Sequence, residues 1–237
     1  MNLVRVKPSA STTKPSILAK RAVAAKGRPA LAGQSAAPAP LVGAVFELGA
    51  VAADQWPASG EREIAFAGRS NAGKSSAINA LARRRGLART SRTPGRTREL
   101  NFFRLRGGAR IVDLPGYGYA AVSHSLKHGW HDLLWSYVSA RTQLVGLVLV
   151  LDARRGLGDL DRRLLDLYLP AGGPVLILAT KMDKLSGAAQ RAAATAVRDA
   201  ARRAYPAHAG RITVVAFSAV RSLGLDAADA VLEQWTA

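Results

Sequence analysis

The 237-residue sequence predicts a three-layer α/β/α sandwich on a mostly parallel sheet with one antiparallel edge strand. Three observations carry that prediction. Short apolar runs at 62–67, 144–152, 174–179 and 212–217 alternate with helical patterns at 74–84, 124–140, 158–168, 186–204 and 224–235. That alternation is the order of a parallel sheet with helices on both faces. Continuous apolar runs such as Val175-Leu176-Ile177-Leu178 suit strands covered on both sides. Strand patterns at 100–106 and 109–113 are joined by Gly107-Gly108, a hairpin signal that supplies the antiparallel edge. A further edge strand is expected near Val45-Phe46-Glu47-Leu48.

A chain of this length can bury a substantial core. It contains no cysteine, which excludes disulfides and thiolate metal sites and fits a reducing, cytoplasmic setting. The longest apolar run, 144–151, is far too short to span a bilayer. The chain holds 34 basic and 16 acidic residues, a net charge of +18. Such an excess points to a polyanionic partner, either nucleic acid or anionic lipid.

Residues 1–43 read as a disordered basic extension and 44–237 as the globular domain. The first 46 residues hold seven Lys/Arg and no acid, and are rich in Ala, Ser, Thr, Pro and Gly. A solvated tail, an arm on RNA phosphates and a transit peptide compete as readings of this segment. It lacks an apolar stretch fit for a secretory signal. Residues 47–237 still hold 27 basic residues against 16 acidic ones, so the domain is basic in its own right.

The chemistry begins at Gly68-Arg69-Ser70-Asn71-Ala72-Gly73-Lys74-Ser75-Ser76, which follows a strand pattern and opens a helix pattern. This is the context of a phosphate-binding P-loop. Gly68 and Gly73 are expected to let the backbone curl so that successive N–H groups face an anion. The helix start adds its positive dipole end, Lys74 a mobile charge, and Ser75 a hydroxyl suited to Mg²⁺.

Four further motifs follow, each near an expected strand end, where open α/β sheets bind ligands. Thr93-Pro94-Gly95-Arg96-Thr97 precedes the hairpin and places a hydroxyl, Thr97, to reach Mg²⁺ when a γ-phosphate is present. Asp113-Leu114-Pro115-Gly116 pairs a carboxylate for the water shell of Mg²⁺ with a glycine N–H for the γ-phosphate. Thr180-Lys181-Met182-Asp183 supplies a carboxylate that accepts from the ring N–H and amino group of guanine, donors that adenine lacks. The Lys181 stem can lie along the base. Phe217-Ser218-Ala219 can offer a backbone N–H to the guanine carbonyl.

With these motifs the chain resembles the translation-factor-related GTPases, and within them the EngB family, implicated in assembly of the large ribosomal subunit. The resemblance spans about residues 44–237. It is densest at 68–76, in Leu87-Ala88-Arg89-Thr90-Ser91-Arg92-Thr93-Pro94-Gly95-Arg96-Thr97, and in Val112-Asp113-Leu114-Pro115-Gly116-Tyr117-Gly118-Tyr119-Ala120. It implies a P-loop GTPase fold and phosphates held by residues 68–75 and Gly116, with Ser76 beside the nucleotide. Mg²⁺ would be bound directly by Ser75 and Thr97 and through water by Asp113.

The loop Gly95, Arg96, Thr97, Arg98 and Glu99 is implied to lie beside the nucleotide. So are Leu114 and Pro115. Guanine would be read by Thr180, Lys181, Met182 and Asp183 with Phe217, Ser218 and Ala219. Lys74, Thr97 and Gly116 would be the catalytic groups, acting on GTP and leaving GDP. Relatives with asparagine at position 71 use K⁺ there, so Asn71 is the candidate K⁺ ligand. The implied partner is the large ribosomal subunit or its precursor, through ribosomal RNA, with an indirect need in growth and cell division. A monomer without stable membrane association is expected.

Tyr117 occupies the place of the water-orienting glutamine of Ras-like enzymes, so slow intrinsic hydrolysis is expected. Ten arginines crowd residues 83–110 against one acid, Glu99, a density read as RNA-phosphate contact. His124, His128 and His131 share a helix face and read as an exposed polar stripe rather than a zinc site. The competing function is a nucleotide-dependent switch at an anionic membrane surface. The chain shows neither a lipidation motif nor an amphipathic helix for that role.

Overall fold

Seven strands form one sheet in the order β1-β3-β4-β2-β5-β6-β7. They are β1 (Val45–Ala50), β2 (Glu63–Gly68), β3 (Leu100–Arg104), β4 (Arg110–Asp113), β5 (Leu144–Asp152), β6 (Val175–Thr180) and β7 (Ile212–Ala216). The computed structural model describes residues 39–88, 99–118 and 133–236. From β4 through β7 every pairing is parallel, and only β3 runs the other way, between β4 and the outermost β1. The expected sandwich with its antiparallel edge is the fold observed.

The helices are α1 (Lys74–Leu81), α2 (133–140), α3 (Asp159–Tyr168), α4 (Gly187–Ala204) and α5 (Leu225–Thr236). Alternate strand residues point to opposite faces, so the sheet builds two cores. Ala65, Ala67, Leu147 and Leu149 pack with Leu134 and Tyr137 of α2, Leu164 of α3 and Val197 of α4. Ile64, Phe66, Val148 and Val150 pack with Ile78 and Leu81 of α1 and Leu232 and Trp235 of α5. Burial on both faces explains why the central strands read as unbroken apolar runs. Leu41 is fully buried in the second core, so packing starts ahead of β1.

Helix α1 is shorter than the expected 74–84. Arg83 takes a left-handed conformation (φ 51°), its N–H bonds Ala80 O at 3.1 Å, and the Arg84 N–H reaches back to Asn79 O at 3.0 Å. This helix stop is one that glycine ordinarily fills. Arg83 holds it instead by donating to Asp229 of α5 at 2.6 Å and to Ala80 O at 3.0 Å. The expected stretch 124–132, with its three histidines, lies outside the described residues, as do the 1–38 segment and residues 89–98.

The arginine-rich stretch 83–110 is more structural than its charge suggests. Arg110 is only 2% exposed and is held by Glu47, Glu61 and Ser59 at 2.8–3.1 Å. Arg104 pairs with Glu47 at 2.5 Å, and Arg83 pairs with Asp229. Arg110 is therefore out of reach of an RNA phosphate, and Arg83 and Arg104 are already ion-paired. Carboxylates distant in sequence already neutralise them.

Candidate functional site

Strand β2 ends at Gly68 and α1 starts at Lys74, so residues 69–73 lie at the carboxyl edge of the parallel strands. Asn71 (φ 64°) and Gly73 (φ 103°) are left-handed, which curls the loop. Asparagine and glycine are the residues that tolerate this best. No side chain caps the start of α1, which leaves its first N–H groups open to an anion. Gly68 serves differently from expectation. Its φ is not positive, and a Cβ there would collide with the Val150 carbonyl oxygen of β5. Glycine at 68 lets two strands approach, and Asn71 with Gly73 makes the curl.

Lys74 Nζ forms an ion pair with the Asp113 carboxylate at the end of β4. Both groups are largely shielded from solvent, so the pair brings the loop and the Asp113-Leu114-Pro115-Gly116 motif together. The Ser70 hydroxyl donates to Gly116 O at 3.2 Å, and the Ser70 N–H donates to Tyr117 O at 2.8 Å. A Cβ at Gly116 would sit 3.2 Å from the Ser70 Cα, so the motif lies flush on the loop. Tyr117 turns away from the loop and is fully buried toward α3. Arg69 also projects toward α3, its guanidinium flanking Gly118 and Gly158, so its backbone alone belongs to the phosphate loop.

The other side of the loop is fastened to β6 and the turn after it. The Thr180 hydroxyl lies 2.5 Å from Ala72 O and 2.9 Å from Leu151 O. Lys181 is left-handed (φ 62°) and donates to Asn71 O at 2.6 Å. Asp183 accepts from the Ser218 hydroxyl at 2.7 Å, which holds its carboxyl below the usual range. Met182 is buried, and its N–H donates to Phe217 O at 3.3 Å, so the 180–183 and 217–219 motifs meet. The Ser218 N–H is used by Leu223 O at 3.0 Å, while Ala219 is half-buried beside it.

Gly95, Arg96, Thr97 and Arg98 lie outside the described residues. Glu99 is exposed, beside Gly49 of β1. Asp152 is a site residue that motif reading missed. It ends β5, is 6% exposed, and lies 3.1 Å from Lys181 Nζ. Arg154 and then Lys181 hold its carboxyl far below the usual range. An acid closing a buried strand at the ligand edge was the available signal. Asp152, Asp161, Arg69, Asn71 and Lys181 line a cavity of about 180 Å³ between the loop and α3.

Ser75, next in sequence to Lys74 in the first turn of α1, and Asp113, paired with Lys74, supply hard oxygen donors. Such a donor set fits Mg²⁺ rather than a softer ion. Among the described residues no cluster of His, Cys, Asp and Glu forms another metal site.

Residues 63–181 match the family model described as "50S ribosome-binding GTPase". The chain is 45% identical over 192 residues to the probable GTP-binding protein EngB of Azoarcus sp. (strain BH72), covering 81% of this chain and 90% of that protein. A crystal structure of a probable GTP-binding protein EngB superposes with a TM-score of 0.59 at 19% identity, covering 73% of this chain and 98% of that one. Era, solved with MgGDPNP and nucleotides 1506–1542 of 16S ribosomal RNA, superposes with a TM-score of 0.57 at 21% identity, over 73% and 56% of the two chains. With an identity of 45% across most of both chains and a family model matching residues 63–181, the chain belongs to the EngB family of GTP-binding proteins and is a P-loop GTPase.

Proposed function

We propose that this GTPase is a nucleotide-state switch in assembly of the large ribosomal subunit, working in the cytoplasm as a monomer. The observation that carries the reading is the match of residues 63–181 to a family model described as a 50S ribosome-binding GTPase. Its high net charge of +18 suits a ribosomal RNA partner. No described helix is long and apolar enough to cross a membrane.

In this reading GTP lies across the carboxyl edge of the sheet. The N–H groups of 69–75 cradle its phosphates, and Lys74 leaves Asp113 for the terminal ones. The Gly116 N–H meets the γ-phosphate. Ser75 and Thr97 would hold Mg²⁺ directly and Asp113 through water, and the ion when bound would supply neutralisation of phosphate charge. Asp183 reads guanine while Ser218 holds it in place, Lys181 lies along the base, and the Ala219 N–H meets the guanine carbonyl. Thr97 senses the γ-phosphate for the loop that carries it.

Hydrolysis is slow because Tyr117 is turned into the core and orients no water. Asn71, exposed at the mouth of the loop, then takes K⁺, and the ribosomal particle completes the site. The deciding experiment is co-sedimentation with large-subunit particles in GDP and GTP-analogue states, with turnover compared in KCl and NaCl. State-dependent binding and faster turnover with particles are expected. Equal binding in both states, or association with anionic liposomes instead, overturns the switch. Equal turnover in the two salts overturns the K⁺ assignment.

A further inference from the structure

The parallel strands place the P-loop at one end of the sheet, and a different kind of surface lies at the other. Phe46 pairs with Phe103, which pairs with Ile111, level with the start of β2. Phe46 is 56% exposed and Val45 is 50% exposed, although both belong to a strand. The Phe46 ring stands edge-on to buried Phe103 at 5.7 Å between centroids, so it is braced from below while one side faces solvent.

Two arginines contact the residues just ahead of Phe46. Arg84 donates to Ala44 O at 3.2 Å, and the Arg106 guanidinium packs where a side chain on Gly43 would sit. Neither has a carboxylate partner among the described residues. The nearby acid, Glu47, is committed to Arg104 and Arg110.

We infer that Phe46, with Arg84 and Arg106, is a docking point for single-stranded RNA, a base stacking on the ring and flanking phosphates meeting the guanidinium groups. This rests on the ribosomal RNA partner proposed above and names the surface that meets it. An aromatic platform between cations is how proteins hold unpaired bases without reading their sequence. Strand addition is opposed, because the register shift between Phe46 and Leu48 interrupts the outer edge of β1. A second copy would bring arginine against arginine. The segment ahead of β1 carries seven basic residues and no acid, so its charge does not complement the arginines. Lying away from the P-loop, the patch holds RNA equally in either nucleotide state.

The test measures binding of a labelled unstructured RNA oligonucleotide and of large-subunit particles to the full chain. Phe46→Ala, Phe46→Trp and the double variant Arg84→Ala/Arg106→Ala are compared, each in GDP and GTP-analogue states. Phe46→Ala should weaken oligonucleotide binding about five- to 150-fold and Phe46→Trp should retain it. The double variant should lower the slope of log K against log salt by about 1.4. Unchanged nucleotide affinity in each variant confirms folding. Equal oligonucleotide binding by the parent and Phe46→Ala, or none by either, overturns the inference. The parent's co-sedimentation separately decides the ribosomal reading. Loss of particle binding by Phe46→Ala with oligonucleotide binding intact assigns the patch to a protein, which also overturns it.

Discussion

The Tyr117 hydroxyl lies 2.7 Å from Oδ1 of Asp161, and neither side chain is exposed. The other Asp161 oxygen accepts the Gly158 N–H at 2.9 Å, at the start of α3. One carboxylate therefore anchors both α3 and the residue that follows Gly116. Tyr117→Phe removes the donor and leaves a buried acceptor short of a partner, which should cost about 1–3 kcal/mol in urea unfolding. Burial raises the Asp161 carboxyl above its ordinary 3.8. The folded protein then binds this proton more readily than the unfolded chain, so its contribution to stability falls as pH rises from 3.8 through the folded value. Asp161→Asn should abolish that part of the pH dependence; an unchanged profile would refute the assignment.

A second prediction separates holding Asp183 from reading guanine with it. Ser218→Ala deletes the 2.7 Å hydrogen bond and should weaken GDP and GTP about tenfold, with guanine still preferred over xanthine. Asp183→Asn should instead shift preference toward xanthine nucleotides. Fluorescence titration with both nucleotide series checks the pair.

Close approach at Gly68 predicts a large effect from one methyl group. Gly68→Ala would press against the Val150 carbonyl oxygen and should destabilise the domain by about 1–3 kcal/mol. Gly60, with nothing within 4 Å and no positive φ, is the control, and Gly60→Ala should be near neutral. Thermal melts of the two variants decide the point.

Glu47 predicts acid sensitivity. Hydrogen bonding to Arg110 first, then Arg104, holds its carboxyl at about 2 rather than 4.5. A depressed value means the contribution is complete above 4.5 and is lost as pH falls toward about 2. Glu47→Gln should be less stable at neutral pH and flatter across that window, measured by unfolding at each pH.

The strands and the P-loop were legible because both leave local marks. A strand buried on two faces is an apolar run, and the loop is a fixed spacing between a strand and a helix. What stayed hidden depends on partners far along the chain. Arg110 reads as a surface charge until Glu47 and Glu61 are seen to enclose it. Asp152 reads as the start of a loop until Lys181 arrives beside it. The end of α1 escaped pattern reading because Arg83 takes a conformation ordinarily left to glycine, held there by Asp229. Gly68 stands out in the sequence by its position in a motif, yet its reason lies in β5.

The clamp between Arg83 and Asp229 has a temporal side. The phosphate loop is made early in synthesis, whereas its fasteners come later: Asp113, then Thr180 and Lys181, and last Asp229 in α5. A nascent chain stopped before α5 carries the whole nucleotide-contacting loop with the end of its helix untethered. The far end of the helix that opens at Lys74 and Ser75 is thus fixed only once α5, close to the end of the chain, has been joined.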